Sequence, residues 1–475
     1  PQDQDFCFCS ILPSCKLLYI LYTVTLIQIC CYDILDYNTC REEAELTNSS
    51  KSASNNPLSR KVWVSLLLLG LAGQLAWAVE NQYFNTFMYD NITPDPRAVS
   101  WMVAITAVVS TVATITMGTL SDRTRTRWGK RRPYIFIGYI VWGLITAAFP
   151  LAAKFQPIAV GVFIAILFDS VLSFFAASAS DAAFSAYITD VTTEANRGRV
   201  TGALEIMKWV AFLVIYGGAG FIIQAVGYYW FFYIIGGIAT LIGLICAPML
   251  HEEIQTNKPE GRYWQKIADT FQTASLRQNE NFFKLMIALT VFMAGINVFF
   301  SYLMIYLQHH VQLSISESSL VVGICILVGG IGAAYPIGLL VDRWGRKPVA
   351  ILSAILEAVG LIAFSLSYTT PALIISGILW LAPFAAWTIS TSVWARDLFP
   401  EEKRGQFAGY YVLFNVAFTM IPGSLLGGWL SSTYGTPIVL DGKAGFVPSP
   451  LLFQVAGVVV LLAVIPLLTI RTQKK

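Results

Sequence analysis

The chain has 475 residues, of which 56% are hydrophobic and only 12% charged, with a mean hydropathy of +0.63. A soluble protein of that composition would carry a largely apolar surface, so a soluble enzyme is excluded and lipid is the natural solvent. A formal charge of +3 is too small to imply a nucleic-acid partner.

Residues 1–59 read unlike the rest. They begin with Pro1, hold six of the eight cysteines (Cys7, Cys9, Cys15, Cys30, Cys31 and Cys40), and contain an apolar run from Leu17 to Leu35 broken by Asp33. The expectation is an atypical extension, disordered or spurious, with a thirteenth span or a signal sequence as alternatives. The cysteine spacing fits no zinc pattern, and no disulfide is expected. Beyond it, runs of about 20 apolar residues can cross the roughly 30 Å hydrocarbon layer as helices that satisfy their own backbone. Twelve are predicted, near 62–84, 99–120, 134–153, 158–187, 200–225, 228–249, 284–308, 317–340, 349–367, 371–393, 407–431 and 449–470. The fold class is therefore all-α integral membrane.

Alternate loops differ in charge. One side carries Arg123, Arg125, Arg127, Lys130, Arg131 and Arg132, then Arg197 and Arg199, and later Arg343, Arg346, Lys347, Arg396, Lys403 and Arg404; the other side offers Arg97, Lys154 and Lys443. By the positive-inside rule the first set is cytoplasmic, along with both ends of the twelve-helix core, in a multi-pass protein of the cell membrane.

Those loops also repeat. Residues 118–133 read GTLSDRTRTRWGKRRP and residues 338–348 read GLLVDRWGRKP. Asp190, Arg197-Gly198 and Gly202 recur at the same spacing as Asp397, Arg404-Gly405 and Gly409. A six-helix unit has thus been used twice, with bundles at 60–250 and 284–475 and a cytoplasmic loop at 251–283. Gly118 and Gly338 would let backbones approach closely, and Asp122 and Asp342 would pair with nearby arginines or face a helix N-terminus. A charge latch is expected from Asp122, Arg123, Asp190, Arg197, Asp342, Arg343, Asp397 and Arg404, holding one conformation closed; the plainer alternative is a set of topogenic anchors.

These loop motifs, across about residues 60–472, resemble the major facilitator superfamily. The insertion Thr124–Arg127, the basic run ending in Pro133, and the stretch Ser180–Gly202 are similar to the glycoside-pentoside-hexuronide:cation symporters and the related sucrose-type proton symporters. The resemblance implies two pseudo-symmetric six-helix bundles and a central cavity lined by helices one, four, seven and ten. Melibiose-permease-type members have two helix-two aspartates for sodium or proton binding; Ser110 and Thr114 stand there here, so that cation site is absent and proton coupling is the better expectation.

Ionisable residues within a span cost roughly 2.5 to 3.5 kcal/mol on insertion scales, which makes each a functional candidate. In chain order, Gln74, Trp77 and Asn81 follow the i, i+3, i+7 spacing of one helix face, and with Asn297 and Trp387 are the candidate substrate contacts. Glu80 and Asp169 are the candidate proton-coupling carboxylates, Asp169 first by depth. Asp181, Glu205 and Lys208 are expected as a buried charge network, in which either acid would pair with Lys208. Glu357 lies on a helix that is peripheral in the resembled fold, where packing or a lipid-interface role is expected. No phosphate-binding loop, metal-ligand motif or catalytic cluster is present, so neither an enzyme nor a cofactor is expected. The expected function is proton-coupled symport of a sugar or glycoside. Export or uncoupled passage of another small organic solute is one alternative, and a non-transporting membrane sensor another.

Overall fold

The structure is a computed structural model that describes residues 58–252, 279–398, 410, 411 and 413–470. The expected N-terminal extension up to residue 57, most of the central loop, Arg404 and the basic tail lie outside the described residues.

Among the described residues, eleven helical runs are long and apolar enough to cross a membrane. They are α1 (Arg60–Ile92), α2 (Pro96–Arg123), α3 (Arg132–Lys154), α4 (Ile158–Val191), the run Asn196–Met249, α7 (Glu280–His310), α8 (Ile315–Trp344), α9 (Arg346–Ser365), α10 (Thr370–Asp397), α11 (Leu413–Tyr434) and α12 (Leu451–Thr469). The run Asn196–Met249 has 54 residues, about 81 Å of helix, more than twice the hydrocarbon thickness. Gly227 breaks it with φ 81° and ψ 165°, a left-handed conformation that favours glycine. Its limbs, 196–226 and 228–249, are α5 and α6, and the crossings number twelve, as the sequence predicts.

Local chemistry sets the ends. Asp95 caps α2 by accepting from the Arg97 amide, with Pro96 at the first helical position. Ser314 and Glu317 form a reciprocal capping box at the start of α8.

The two halves meet along two antiparallel helix pairs, α2 with α11 and α5 with α8. Small residues make these contacts possible. Gly217 and Gly323 pack so closely that a Cβ on Gly323 would sit 2.7 Å from the Gly217 Cα, and Ser319, four residues before Gly323, accepts from the Gly220 amide at 3.1 Å.

Between α11 and α12 the chain forms a hairpin that the sequence reading did not anticipate, β1 (Thr436–Leu440) and β2 (Lys443–Val447). Leu440 pairs with Lys443, and Asp441 and Gly442 supply the two positive φ values, 49° and 76°, of a tight turn.

Among the described residues, five helices contain widened π-type turns: α1 at Glu80–Phe84 and Met88–Ile92, α4 at Ala177–Phe184, α5 at Leu213–Gly218, α7 at Tyr306–His310 and α8 at Ile326–Gly332. Such turns free backbone groups and bend a helix, and they recur at functional sites. In α1 the side chains of Asn85 and Thr86 bond back to the carbonyls of Asn81 and Gln82, satisfying part of what the wide turn releases.

Candidate functional site

Helix α1 presents the polar face expected from spacing. Trp77 is 40% exposed, Gln74 and Asn81 are half-buried, and Leu75, Ala76, Ala78 and Val79 between them are buried. The Trp77 ring stacks on Phe212 of α5 at 5.7 Å. Phe212 packs against Tyr216 at 5.5 Å and Tyr216 against Phe300 of α7 at 6.2 Å, so an aromatic row runs from the first half into the second. Asn81 Nδ2 donates to the Trp77 carbonyl at 2.9 Å, which leaves its carbonyl oxygen as the remaining acceptor.

The two candidates in the second half are held by their own surroundings. Asn297 donates to the Met293 carbonyl at 2.8 Å and lies against Gly423 of α11. Trp387 is 1% exposed, lies flat on Phe292 with ring centroids 3.9 Å apart, and keeps a buried indole N–H with no hydrogen-bond partner. A solute cannot reach Trp387 in this conformation, whereas the α1 face is open to one.

Behind that face sit the carboxylates. Asp169 on α4 is 3% exposed, and its Oδ1 is buried without a hydrogen-bond partner. One turn further along, the Ser173 hydroxyl donates to Glu80 Oε1 of α1 at 2.5 Å. Glu80 is one turn of α1 from Trp77.

Of the expected buried network of Asp181, Glu205 and Lys208, the structure has the pairing of Lys208 with one acid but not the burial. Lys208 pairs with Glu205 on the same helix, their side chains 30% and 55% exposed, and Asp181 is exposed. Charges exposed within a span are costly against hydrocarbon, so the flank of α4 and α5 that carries these three is the one suited to meet water rather than lipid.

The opposite end is shut by bonds between the halves. Asp90 of α1 binds His309 Nε2 of α7 at 2.7 Å and accepts from the Tyr228 hydroxyl of α6 at 3.0 Å. Tyr302 of α7 donates to the Pro96 carbonyl at 2.8 Å, and Tyr83 of α1 bonds Ser319 of α8 at 2.9 Å. The hairpin adds more: Tyr89 donates to the Phe446 carbonyl (2.8 Å), the Phe446 amide to the Pro94 carbonyl (3.0 Å), and Lys443 Nζ to the Asn91 carbonyl (2.9 Å). At the basic end, Gly202 of α5 and Gly338 of α8 have no neighbour within 4 Å of where a Cβ would stand.

The repeated loops bond within each half. Arg131 is the hub of the first, binding Asp122, the Ser121 hydroxyl at 2.6 Å and Asp190 at 3.5 Å, with Lys130 on Asp190 at 2.9 Å. Arg346, the repeat equivalent of Arg131, pairs with Asp397, the equivalent of Asp190. Glu252 accepts from the Arg131 and Arg132 amides at the start of α3. Arg197 bonds Thr192 on its own segment, Asp342 and Arg343 are exposed, and Arg123 is half-buried. The close backbone approach expected at Gly118 and Gly338 is absent here: a Cβ on Gly118 would first meet Ala182 at 3.9 Å, and Gly338 meets nothing. Both lie toward the basic end, where the halves have parted.

A family model described as Major Facilitator Superfamily matches residues 62–335 and 328–475. The chain belongs to the Major Facilitator Superfamily. Solved structures of members share its fold. The nucleoside transporter NupG matches with a TM-score of 0.67 at 13% identity, covering 87% of this chain and 100% of that one. A D-xylose-proton symporter matches with a TM-score of 0.64 at 16% identity, covering 86% and 97%. The inward open conformation of the xylose transporter XylE from E. coli matches with a TM-score of 0.65 at 15% identity, covering 87% and 96%. No curated protein matches the sequence.

As a member of this superfamily the protein is a transporter of small solutes across a membrane, not an enzyme. Two further buried polar side chains, Gln82 and Glu357, have surroundings that the sequence does not specify. Gln82, oriented to donate to the Phe300 carbonyl at 3.2 Å and accept from the Met304 amide at 3.3 Å, satisfies backbone freed where the tighter turn Phe300–Tyr302 interrupts α7. Glu357 is 0% exposed with both carboxylate oxygens unpartnered. It does not meet lipid, because its face of α9 packs on α10, where Gly360 abuts Leu379 and Trp380.

Proposed function

We propose that this transporter is a proton-coupled symporter of a sugar or glycoside, of the sucrose-type branch, working in a cell membrane with its basic end cytoplasmic. The observation that carries this reading is the register of α1: the accessible Trp77 face and the Glu80 carboxylate lie one turn apart, with Ser173 and buried Asp169 behind them. An exposed indole offers the apolar side of a pyranose ring a flat surface, and Gln74 and Asn81 offer its hydroxyls donors and acceptors. Placing solute and proton on one helix turn makes each sensitive to the other, as coupling requires. The shut outer end and water-accessible basic end correspond, in this orientation, to an inward-facing state of an alternating-access cycle. Asn297 and Trp387 would join the site when α7 and α10 move.

The test is counterflow: proteoliposomes loaded with unlabelled mono- and disaccharides, one at a time, are diluted into trace labelled solute with no ion gradient. Exchange of at least one sugar supports the reading. Exchange of nucleosides or other organic solutes, with every sugar inert, would overturn it.

A further inference from the structure

At the end opposite the basic loops, one acid serves partners from both halves. Asp90 of α1 holds a donor on each carboxylate oxygen, the Tyr228 hydroxyl of α6 on Oδ2 at 3.0 Å and His309 Nε2 of α7 on Oδ1 at 2.7 Å. Tyr228 belongs to the same half as Asp90, so that bond can outlast a separation of the halves. The bond to His309 crosses between them and exists only while this end is shut. A carboxylate accepts and cannot donate, so Nε2 carries the hydrogen of that bond, and Nδ1 is the nitrogen left to gain a proton. The His309 and Asp90 side chains are 19% and 20% exposed, and the His309 ring lies 5.1 Å from that of Tyr89, again from the first half. The other charged and titratable groups at this end are engaged with one another. Asp95 and Arg97 of α2 pair together, Glu317 of α8 caps its own helix with Ser314, Lys154 at the end of α3 lies over the Tyr229 ring of α6 at 5.6 Å, and His310 stacks on Tyr306 at 4.9 Å with Tyr368 beyond it. Lys443 of the hairpin bonds the carbonyl of Asn91, next to Asp90, so its charge opposes a further positive group here.

We propose that Asp90 and His309 form a proton-binding site that registers acidity outside the membrane, with protonation of His309 tightening the closure and its loss loosening it. This rests on the orientation given above, with this end outside, and not on the identity of the solute or on proton coupling. The reaction is transfer of a proton from hydronium to Nδ1, which leaves water and turns imidazole into imidazolium. Neutral imidazole keeps the hydrogen bond to Oδ1, whereas imidazolium keeps it and adds the attraction of unlike charges. Once the halves part, His309 leaves Asp90 behind, so only the shut state gains from that charge. Closure and proton binding therefore favour each other by the same factor. Imidazole changes charge between about pH 5 and 8, so outer acid favours the inward-facing state and outer alkali releases it. Partial exposure and the opposing charge of Lys443 hold the gain to about threefold. This proton enters and leaves on one side, and it is separate from any proton carried with the solute.

The test is the rate at which a membrane-impermeant maleimide, added outside, labels Tyr216→Cys in vesicles whose inner and outer pH are set separately. One side is held near neutral while the other is taken from about pH 8 to about pH 5.5. Thiol reactivity itself changes with pH, so the rate in Tyr216→Cys with His309→Gln is divided by the rate in Tyr216→Cys alone at each setting. Glutamine keeps a donor for Asp90 and cannot take the charge. This ratio is expected to rise about threefold as the outer side turns acid, and to stay level when both chains also carry Asp90→Asn. A ratio that ignores pH on both sides, or one that rises equally in the Asp90→Asn background, would overturn the site. A ratio that follows the inner pH and not the outer would instead overturn the orientation on which it rests, a result distinct from either.

Discussion

On the proposed reading, Trp77 is the residue on which solute recognition turns. Its ring is open on one side and braced by Phe212 on the other, so Trp77→Ala removes the platform and leaves Phe212 without its stacking partner. The expected result is a KM raised roughly tenfold, about 1.4 kcal/mol of lost stacking, with Trp77→Phe between the two; initial-rate uptake against concentration measures it. Asp169→Asn should abolish proton-driven accumulation while exchange of bound solute persists in part, measured as the steady-state ratio beside counterflow. The α1 face was legible because Gln74, Trp77 and Asn81 keep helical spacing in an apolar run. Ser173 was not: a serine in a membrane helix carries no signal of its own, and only the packing of α4 on α1 gives it Glu80 as a partner. The Glu205–Lys208 pairing was legible from its spacing of one turn, but its exposure was not, since depth along a helix says nothing about which flank is covered.

At the scale of elements, the closure of the end opposite the basic loops is a layered set of contacts. The Asp90–His309 pair joins α1 to α7, and the hairpin binds the α1–α2 turn through Phe446 and Lys443. Asp90→Asn with His309→Gln removes the Asp90–His309 contact and keeps the hairpin. The double variant should label several-fold faster from outside at a cysteine introduced at Tyr216, with each single variant in between; unchanged labelling would show that the hairpin alone holds the end shut. The Gly217–Gly323 crossing of α5 and α8 leaves no room for side chains, so Gly323→Val should lower the melting temperature seen by size-exclusion after heating, at a cost of about 1 to 3 kcal/mol. The hairpin was readable in principle. Asp441-Gly442 between two short β-prone stretches is a strong turn signal, and it was passed over because the surrounding apolar runs directed attention to helices alone.

The whole molecule was the most legible level. Apolar run lengths dictate the twelve crossings, and the break at Gly227 divides a continuous helical run where the lengths predict. The repeated loops gave the internal symmetry, and the structure adds its meaning: Arg131 with Asp190 and Arg346 with Asp397 perform the same fastening in each half. What repetition could not reveal is that these pairs tie loops to their own bundle, because equivalent motifs imply equivalent local folds and leave contacts between the bundles undetermined. On the proposed reading the two bundles rock about the α1 face, and the gradient that drives them is one of protons. The most direct test is the accumulation ratio of a counterflow-competent sugar in proteoliposomes under an imposed inward proton gradient. Accumulation above the external concentration that collapses on adding a protonophore is the expected result, and uptake that stops at equal concentrations whatever the gradient would contradict it.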